Sequence, residues 1–311
     1  MIRRFLFASL ALVFAAVLPT PGLAATKPSS SSSSQSAPAA AKPAPKKKTP
    51  PAEPFAVPAD GSGVPQVSAA SCIVLDASSG KVLYELNADQ QRPVASTQKL
   101  LTSLIVAEEG NLDALVKVQA PDTWCEPSML YIKPGETYRR GDLLRVLLVK
   151  SMNDVARCLA RDNAGSVEQF ALKMNAKAAQ LGMTHSHFAN PNGLPTPGQY
   201  SSARDMSKVA MAAYRNRTLR GIVCLKEIQW KHPDGHVSTF TNTNRVLRNY
   251  ALCNGMKTGY TEAAGHCLVS SASANGRDII SVVLGDTQQV WNDSYRLLNW
   301  GLGSSGVASN N

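Results

Sequence analysis

The hydrophobic period of this chain changes along its length, and the order of the changes limits the fold more than any other feature. Residues 72–76 and 81–85 are short apolar runs around Ala77-Ser78-Ser79-Gly80, a hairpin signal with glycine in the loop. A helical block follows, from the apolar run at Leu100, Leu101, Leu104 and Ile105 to the stripe Met206, Val209, Ala210 and Ala213. Residues 226–230, 237–240 and 255–259 then read as strands. Residues 266–271 and 278–284 flank Asn275-Gly276, the strongest short hairpin signal in the chain. A final helix carries Trp291, Tyr295, Leu298 and Leu302 on one stripe. Strand pair, helices, strands, helix is an α+β order, in which the first and last strands can meet in one antiparallel sheet flanked by helices, with a helical subdomain.

Inside the helical block, Asp142 is expected to cap a helix through Leu143, Leu144, Val146, Leu147, Leu148 and Val149. That segment is apolar nearly all round, so it should be central. A second helix runs to Gly165, and a third starts at the capping box Ser166…Gln169 and closes at Gly182. Asn190-Pro191-Asn192-Gly193-Leu194-Pro195 is dense turn chemistry. Ser202 with Asp205 caps the next helix.

The ends follow another grammar. Arg3-Arg4, the apolar run 5–18 and the small residues up to Ala25 read as a cleaved secretory signal over residues 1–25. Residues 26–64, rich in Ser, Ala, Pro and Lys, cannot bury a core and read as a disordered tether with a reach on the order of 100 Å. The folded domain is then expected over 65–303, with a flexible tail at 304–311. The net charge of +10 divides evenly. Seven basic residues face Glu53 and Asp60 up to residue 64, and 25 basic face 20 acidic residues beyond it. An excess this mild suits an acidic, wall-like environment and lacks the clustered basic and aromatic footprint of a nucleic-acid binder. Six cysteines in an exported chain could form up to three disulfides or be small buried thiols, and no Cys or His spacing points to a metal. No cofactor is expected.

The chemistry is carried by three short segments. Ser96 and Lys99 lie one turn apart at the start of an apolar helix, so they share a face. A serine hydroxyl needs a base, and an amine held in a dry pocket beside another cation can lose its proton and act as one. Such a pair arises by chance in a chain of this length, so the case depends on partners. Ser151 and Asn153 follow the buried helix and can relay a proton and hold a substrate amide. The same spacing recurs at Ser273…Asn275 and Ser309…Asn311, but only the first copy follows an apolar helix. Lys257-Thr258-Gly259 lies on a strand, where glycine permits close approach of a substrate backbone and lysine supplies charge.

Together these segments resemble the penicillin-binding protein and serine β-lactamase superfamily. More closely, the chain resembles the serine D-alanyl-D-alanine carboxypeptidases of low molecular mass. The matching pieces are Asp76-Ala-Ser-Ser-Gly80, residues 93–99, Lys133-Pro-Gly, Ser151-Met-Asn-Asp154, residues 190–193, Tyr200-Ser-Ser-Ala-Arg-Asp205 and residues 255–265. The resemblance implies a β-lactamase/transpeptidase-like fold. It implies that Ser96 attacks the penultimate D-alanine carbonyl of a peptidoglycan stem peptide with Lys99 as general base. Ser151 would relay the proton to the leaving amine and Asn153 would orient the substrate. Lys257 would lie near Ser151 and the substrate carboxylate, while Thr258 and Gly259 line the docking strand. Backbone N–H groups of Ser96 and Tyr260 would hold the oxyanion. Water would hydrolyse the acyl-enzyme, and β-lactam antibiotics would acylate Ser96 as substrate mimics.

Two departures qualify what is implied. The family's carboxypeptidases usually place an arginine for the terminal carboxylate just past the strand that follows Lys-Thr-Gly. Here that stretch reads Leu284-Gly285-Asp286-Thr287-Gln288, and Arg277 and Arg296 are only nearby in sequence. This brings D,D-endopeptidase action on cross-links into consideration. The family's C-terminal β-domain and amphipathic anchor have no counterpart after the last helix, so no stable membrane anchor is expected. A β-lactamase would need an acidic residue to activate the deacylating water, and residues 190–194 offer none. A catalytically inactive wall-binding scaffold is the non-enzymatic alternative, and the intact motif residues speak against it.

Overall fold

The computed structural model describes residues 63–286 and 288–303; the signal, nearly all of the tether and the C-terminal tail read from the sequence lie outside the described residues. The hairpin at the start is β1 (Ser71–Asp76) and β2 (Val82–Leu86). A 3₁₀ turn, Ala95–Gln98, leads into α1 (Lys99–Glu109). Two three-residue strands, β3 (Leu115–Lys117) and β4 (Thr137–Arg139), pair with each other before α2 (Arg140–Lys150). Then come α3 (Asn153–Ala164), α4 (Val167–Gln180), α5 (Ala203–Arg215) and α6 (Arg217–Val223). A hairpin of β5 (Glu227–Lys231) and β6 (Val237–Thr241) precedes the one-turn helix α7 (Arg245–Asn249). The chain closes with β7 (Cys253–Thr261), β8 (Gly265–Ala274), β9 (Arg277–Asp286) and α8 (Val290–Gly303).

The main sheet has the order β2-β1-β9-β8-β7, antiparallel throughout, so the first strand pairs with the last as the element order requires. Asn275 and Gly276 turn the β8–β9 hairpin with φ of 51° and 76°, the left-handed pair that a two-residue turn needs. The sheet is buried on both faces. Ile73 and Leu75 of β1 and Ile280 and Val282 of β9 face the helical core, while Cys72, Val74, Ile279 and Val283 face α8. Period 2 is present in the packing, yet invisible in the sequence because both faces are apolar.

α2 lies inside the helical side, packed against α1, α3, α6 and the β5–β6 hairpin. Leu143, Leu144, Val146, Leu147, Leu148 and Val149 are all buried, each worth about 1.5–3 kcal/mol relative to exposure. Asp142 does not cap it: Arg139 occupies the N-cap with no side-chain cap, because β4 feeds the helix directly, and Asp142 lies in the first turn. There its carboxylate still favours the positive end of the helix dipole. Ser166 and Ser202 cap their helices, each accepting a backbone N–H three residues on, but at Ser166 only this half of the expected capping box is present. The six cysteines are free thiols, four of them buried. Among the described residues no helix is long and apolar enough to cross a membrane.

Candidate active site

β7 is the edge of the main sheet, and the 3₁₀ turn carrying Ser96 lies against it. The approach depends on Gly259, where an added Cβ would stand 2.9 Å from the backbone nitrogens of Ser96 and Thr97. On the other side, a Cβ on Gly193 would fall 2.2 Å from the Ala95 carbonyl oxygen. Two glycines therefore clamp the turn. Ala95 and Ser151 both have left-handed backbone (φ 47° and 70°), a local cost tolerated only where surrounding packing fixes it.

Lys99 is fully buried beneath Ser96. Its Nζ stands 2.6 Å from Ser96 Oγ, 2.7 Å from Asn153 Oδ1 and 2.5 Å from the Asn192 carbonyl oxygen. Burial, and secondarily the charge of Lys257, hold this amine well below the usual lysine range. A neutral amine has two N–H donors and one lone pair. Two of the three neighbours are obligate acceptors, the amide oxygen and the carbonyl, so a neutral amine can turn its lone pair to the Ser96 hydroxyl, whose other acceptor is the Asn192 carbonyl oxygen at 3.2 Å.

The second half of the site is hung from β7. Lys257, also buried, donates to Ser151 Oγ (2.9 Å) and to its neighbour's carbonyl at Thr258 (2.9 Å). Burial pushes its amine down to about 7. Thr258 Oγ1 lies 2.7 Å from Thr243 Oγ1, extending the network towards α7.

Ser96, Ser151, Thr258, Gly259 and Tyr260 line one open cleft of about 600 Å³, with Lys99, Asn153 and Lys257 buried beside it. The eight residues singled out in the sequence thus meet at one place. Asn153 gives its oxygen to Lys99, and its Nδ2 donates one hydrogen to the Pro127 carbonyl (2.7 Å), which leaves the second Nδ2 hydrogen for a substrate amide. The loop above it is fixed by Asp154, whose carboxylate accepts the N–H groups of Leu130 (3.0 Å) and Ile132 (3.3 Å).

Two features were missed by reading side-chain chemistry. Asn192 acts through its backbone carbonyl, presented to Lys99 because Asn190 Oδ1 accepts the N–H groups of Asn192 (3.2 Å) and Gly193 (2.8 Å). The signal was the turn-rich Asn190–Gly193 stretch, whose side chains say nothing about a carbonyl. Arg245 and Arg248 also line the cleft, whereas Arg277 is spent on the Gly301 and Leu302 carbonyls at the end of α8. Among the described residues no group of three or more His, Cys, Asp or Glu side chains could hold a metal ion.

Residues 59–288 match the model of the peptidase S11 family, D-alanyl-D-alanine carboxypeptidase. The chain is 36% identical over 259 residues to the D-alanyl-D-alanine carboxypeptidase DacC of Escherichia coli, covering 76% of this chain and 62% of that one. It is 33% identical over 259 residues to the D-alanyl-D-alanine carboxypeptidase DacB2 of Mycobacterium tuberculosis, covering 81% of this chain and 88% of that one. The crystal structure of a Streptomyces DD-transpeptidase superposes with a TM-score of 0.73 at 30% identity, covering 77% of this chain and 99% of that one. This chain thus spans about three-fifths of the length of DacC, but nearly all of the shorter relatives. With the family model covering the whole sheet and helical block, the chain belongs to the peptidase S11 family of D-alanyl-D-alanine carboxypeptidases.

Proposed function

We propose that this protein is a penicillin-sensitive serine D-alanyl-D-alanine carboxypeptidase that removes the terminal D-alanine from peptidoglycan stem peptides. The observation that carries the reading is the Lys99 amine, buried and desolvated, 2.6 Å from Ser96 Oγ with its other two neighbours both acceptors. Lys99 Nζ takes the hydroxyl proton as Ser96 Oγ bonds to the carbonyl carbon of the penultimate D-alanine. The oxyanion is met by the backbone N–H groups of Ser96 and Tyr260. As the C–N bond breaks, the leaving amine is protonated through Ser151, whose hydroxyl is held by Lys257. Water then cleaves the ester, with Lys99 again taking the proton, and Ser96 is restored. Asn153 holds Lys99 through its oxygen and orients the substrate through its second Nδ2 hydrogen. Thr258 and Gly259 line the edge strand on which the peptide docks. Such a substrate lies outside the cytoplasmic membrane, which agrees with the export signal read over residues 1–25.

The test is to incubate the full chain with a linear pentapeptide stem and with a cross-linked dimer, reading products by mass spectrometry. A labelled penicillin maps the acylated residue in parallel. Loss of one D-alanine from the linear peptide and label on Ser96, both abolished in Ser96→Ala, are expected. Cleavage of the dimer with the linear peptide untouched would replace this reading by endopeptidase action; label elsewhere than Ser96 would end it.

A further inference from the structure

Asp154 is fully buried, and its carboxylate is met by backbone N–H groups. Oδ1 accepts from Leu130 (3.0 Å) and Val155 (2.9 Å), Oδ2 accepts from Ile132 (3.3 Å), and the Tyr131 N–H faces it as well. A protonated carboxyl would set its O–H against one of these donors, so the arrangement fits the anion. Burial pushes the Asp154 carboxyl up, and the N–H groups pull it back. Three consecutive N–H groups turned onto one carboxylate make an anion nest. The backbone is bent to form it: Ser128 and Tyr131 both have φ of 60°, a cost for residues other than glycine. The Tyr131 ring is 68% exposed, so packing of that side chain does not impose the bend. The loop is turned to meet the charge.

Held in this way, the loop grips Asn153 twice. The Ser128 carbonyl accepts the Asn153 N–H (2.8 Å) and the Pro127 carbonyl accepts from its Nδ2 (2.7 Å). Asn153 Oδ1 then meets Lys99 Nζ at 2.7 Å. The amide that touches the base is thus aimed by a loop whose own shape depends on Asp154. Charge acts beside geometry. Burial, and then Lys257, hold the Lys99 amine down, and the negative charge of Asp154 pulls the other way. Cys125 could add to that pull only as a thiolate, and burial pushes its thiol up to about 11. The other ionisable groups around this pair are the Tyr138 phenol, which burial pushes up, and Arg157 and Glu126 beside Cys125, whose charges are opposite.

We propose that Asp154 is a positioning residue for acyl transfer, aiming the Asn153 amide through the 127–132 loop and steadying the ammonium that Lys99 becomes when it takes the Ser96 proton. This rests on the reading of Ser96 as nucleophile and Lys99 as base, and adds the group that prepares them. Asp154 touches neither the reacting atoms nor the cleft. Its anion acts through Asn153 and through the field at Lys99.

The experiment follows acylation of Ser96 by a labelled penicillin between about pH 5 and 10, with urea unfolding of each chain beside it. The full chain is compared with Asp154→Asn, Asp154→Glu, Tyr131→Gly and Asn153→Ala, the last with and without Asp154→Asn. Asp154→Asn removes the charge and turns an amide N–H towards backbone donors, so acylation should fall about 10- to 100-fold. Its acid limb should also move to lower pH, because an ammonium without its anion gives up its proton more readily. Asp154→Glu keeps the charge but displaces the nest, so the rate should fall while the limb stays near its wild-type position. Tyr131→Gly relieves the bend, so it should acylate within about threefold of wild type and resist urea better. With Asn153→Ala already present, Asp154→Asn should cost less than it does alone, since part of its effect passes through that amide. An unmoved acid limb in Asp154→Asn, a wild-type rate in Asp154→Glu, fully additive losses in the double variant, or a loss in Tyr131→Gly as large as that in Asp154→Asn overturns the proposal. Should Asp154→Asn fail to fold, the Asp154→Glu and Tyr131→Gly rates decide. If the wild-type chain takes no penicillin at Ser96, the reading of the site itself fails, and that outcome differs from a wild-type chain that acylates but is indifferent to Asp154.

Discussion

Replacing Gly259 by alanine tests whether the strand edge and the nucleophile turn must touch. The new Cβ would lie 2.9 Å from Ser96 N and Thr97 N and 3.1 Å from Ala95 Cβ. Ordinary contact needs about 3.5–4 Å, so something must retreat by roughly 0.5–1 Å. The atoms in the way are mostly backbone. The turn has no room behind it, because Gly193 already closes on Ala95 from the far side. β7 must therefore move away, and with it Lys257 and the Tyr260 N–H. Overpacking of this kind costs about 1–3 kcal/mol of stability. Misplacing reacting groups by about 1 Å costs on the order of 100-fold in rate. The assay is the second-order rate of Ser96 acylation by a labelled penicillin, with urea unfolding run beside it. Gly221→Ala is the control: it lies in α6 with nothing within 4 Å of an added Cβ, so it should be neutral or slightly stabilising. If Gly259→Ala acylates within about threefold of wild type, the close-approach argument is refuted.

Two further outcomes follow from the buried groups. Burial pushes Lys257 down to about 7 and holds Lys99 well below the usual lysine range, while both titrate near 10.4 when unfolded, so above neutrality the unfolded chain holds more protons and stability rises with pH by up to about 1.4 kcal/mol per pH unit per lysine. Burial pushes Cys72 up to about 12, Cys125, Cys253 and Cys267 up to about 11, and Cys158 well above the usual thiol range, so from about 8.5 upward the ionisation of these five in the unfolded chain pulls the other way. Urea unfolding under reducing conditions should show a maximum near pH 8, and a maximum below about pH 7 would contradict the linkage of both lysines. Asn153→Ala removes one acceptor from Lys99 and strands the Pro127 carbonyl, so penicillin acylation should fall about 10- to 100-fold, equivalent to about 1–3 kcal/mol; acylation at the wild-type rate would show that Lys99 does not need this amide.

Where the sequence was readable, a local rule and the tertiary environment agreed. The Asn275-Gly276 turn, the Ser166 and Ser202 caps and the apolar α2 segment each specify their own structure, and packing reinforces them. Where they disagreed, packing won. β3 and β4 have three residues each and a single fully buried side chain between them, Val116, too little pattern to register as strands. The one-turn α7 is too short for its period to show, and Asp142 reads as a cap only if β4 is ignored. The active site divides along the same line. Ser96, Lys99, Ser151 and Lys257 were legible because side-chain type and spacing carry their chemistry. Asn192 was not, because a carbonyl is common to every residue and only the fold aims it.

That division bears on why the lysine can be a base at all. Burying an amine is unfavourable unless its hydrogens are met, and meeting all three with strong acceptors would restore the ammonium. At Lys99 the protein supplies two fixed acceptors from two remote segments, Asn153 Oδ1 and the Asn192 carbonyl, and leaves the third neighbour to a hydroxyl that can itself donate. Lys257 adds a nearby positive charge that disfavours a second one. Remove the loop carbonyl and the amine loses the partner that lets it stay buried; replace Ser96 by an acceptor-only group and the ammonium is favoured. The motif names the base, but its protonation state is set by the 190–193 turn and by α3, which is why three segments distant in sequence have to close on one nitrogen.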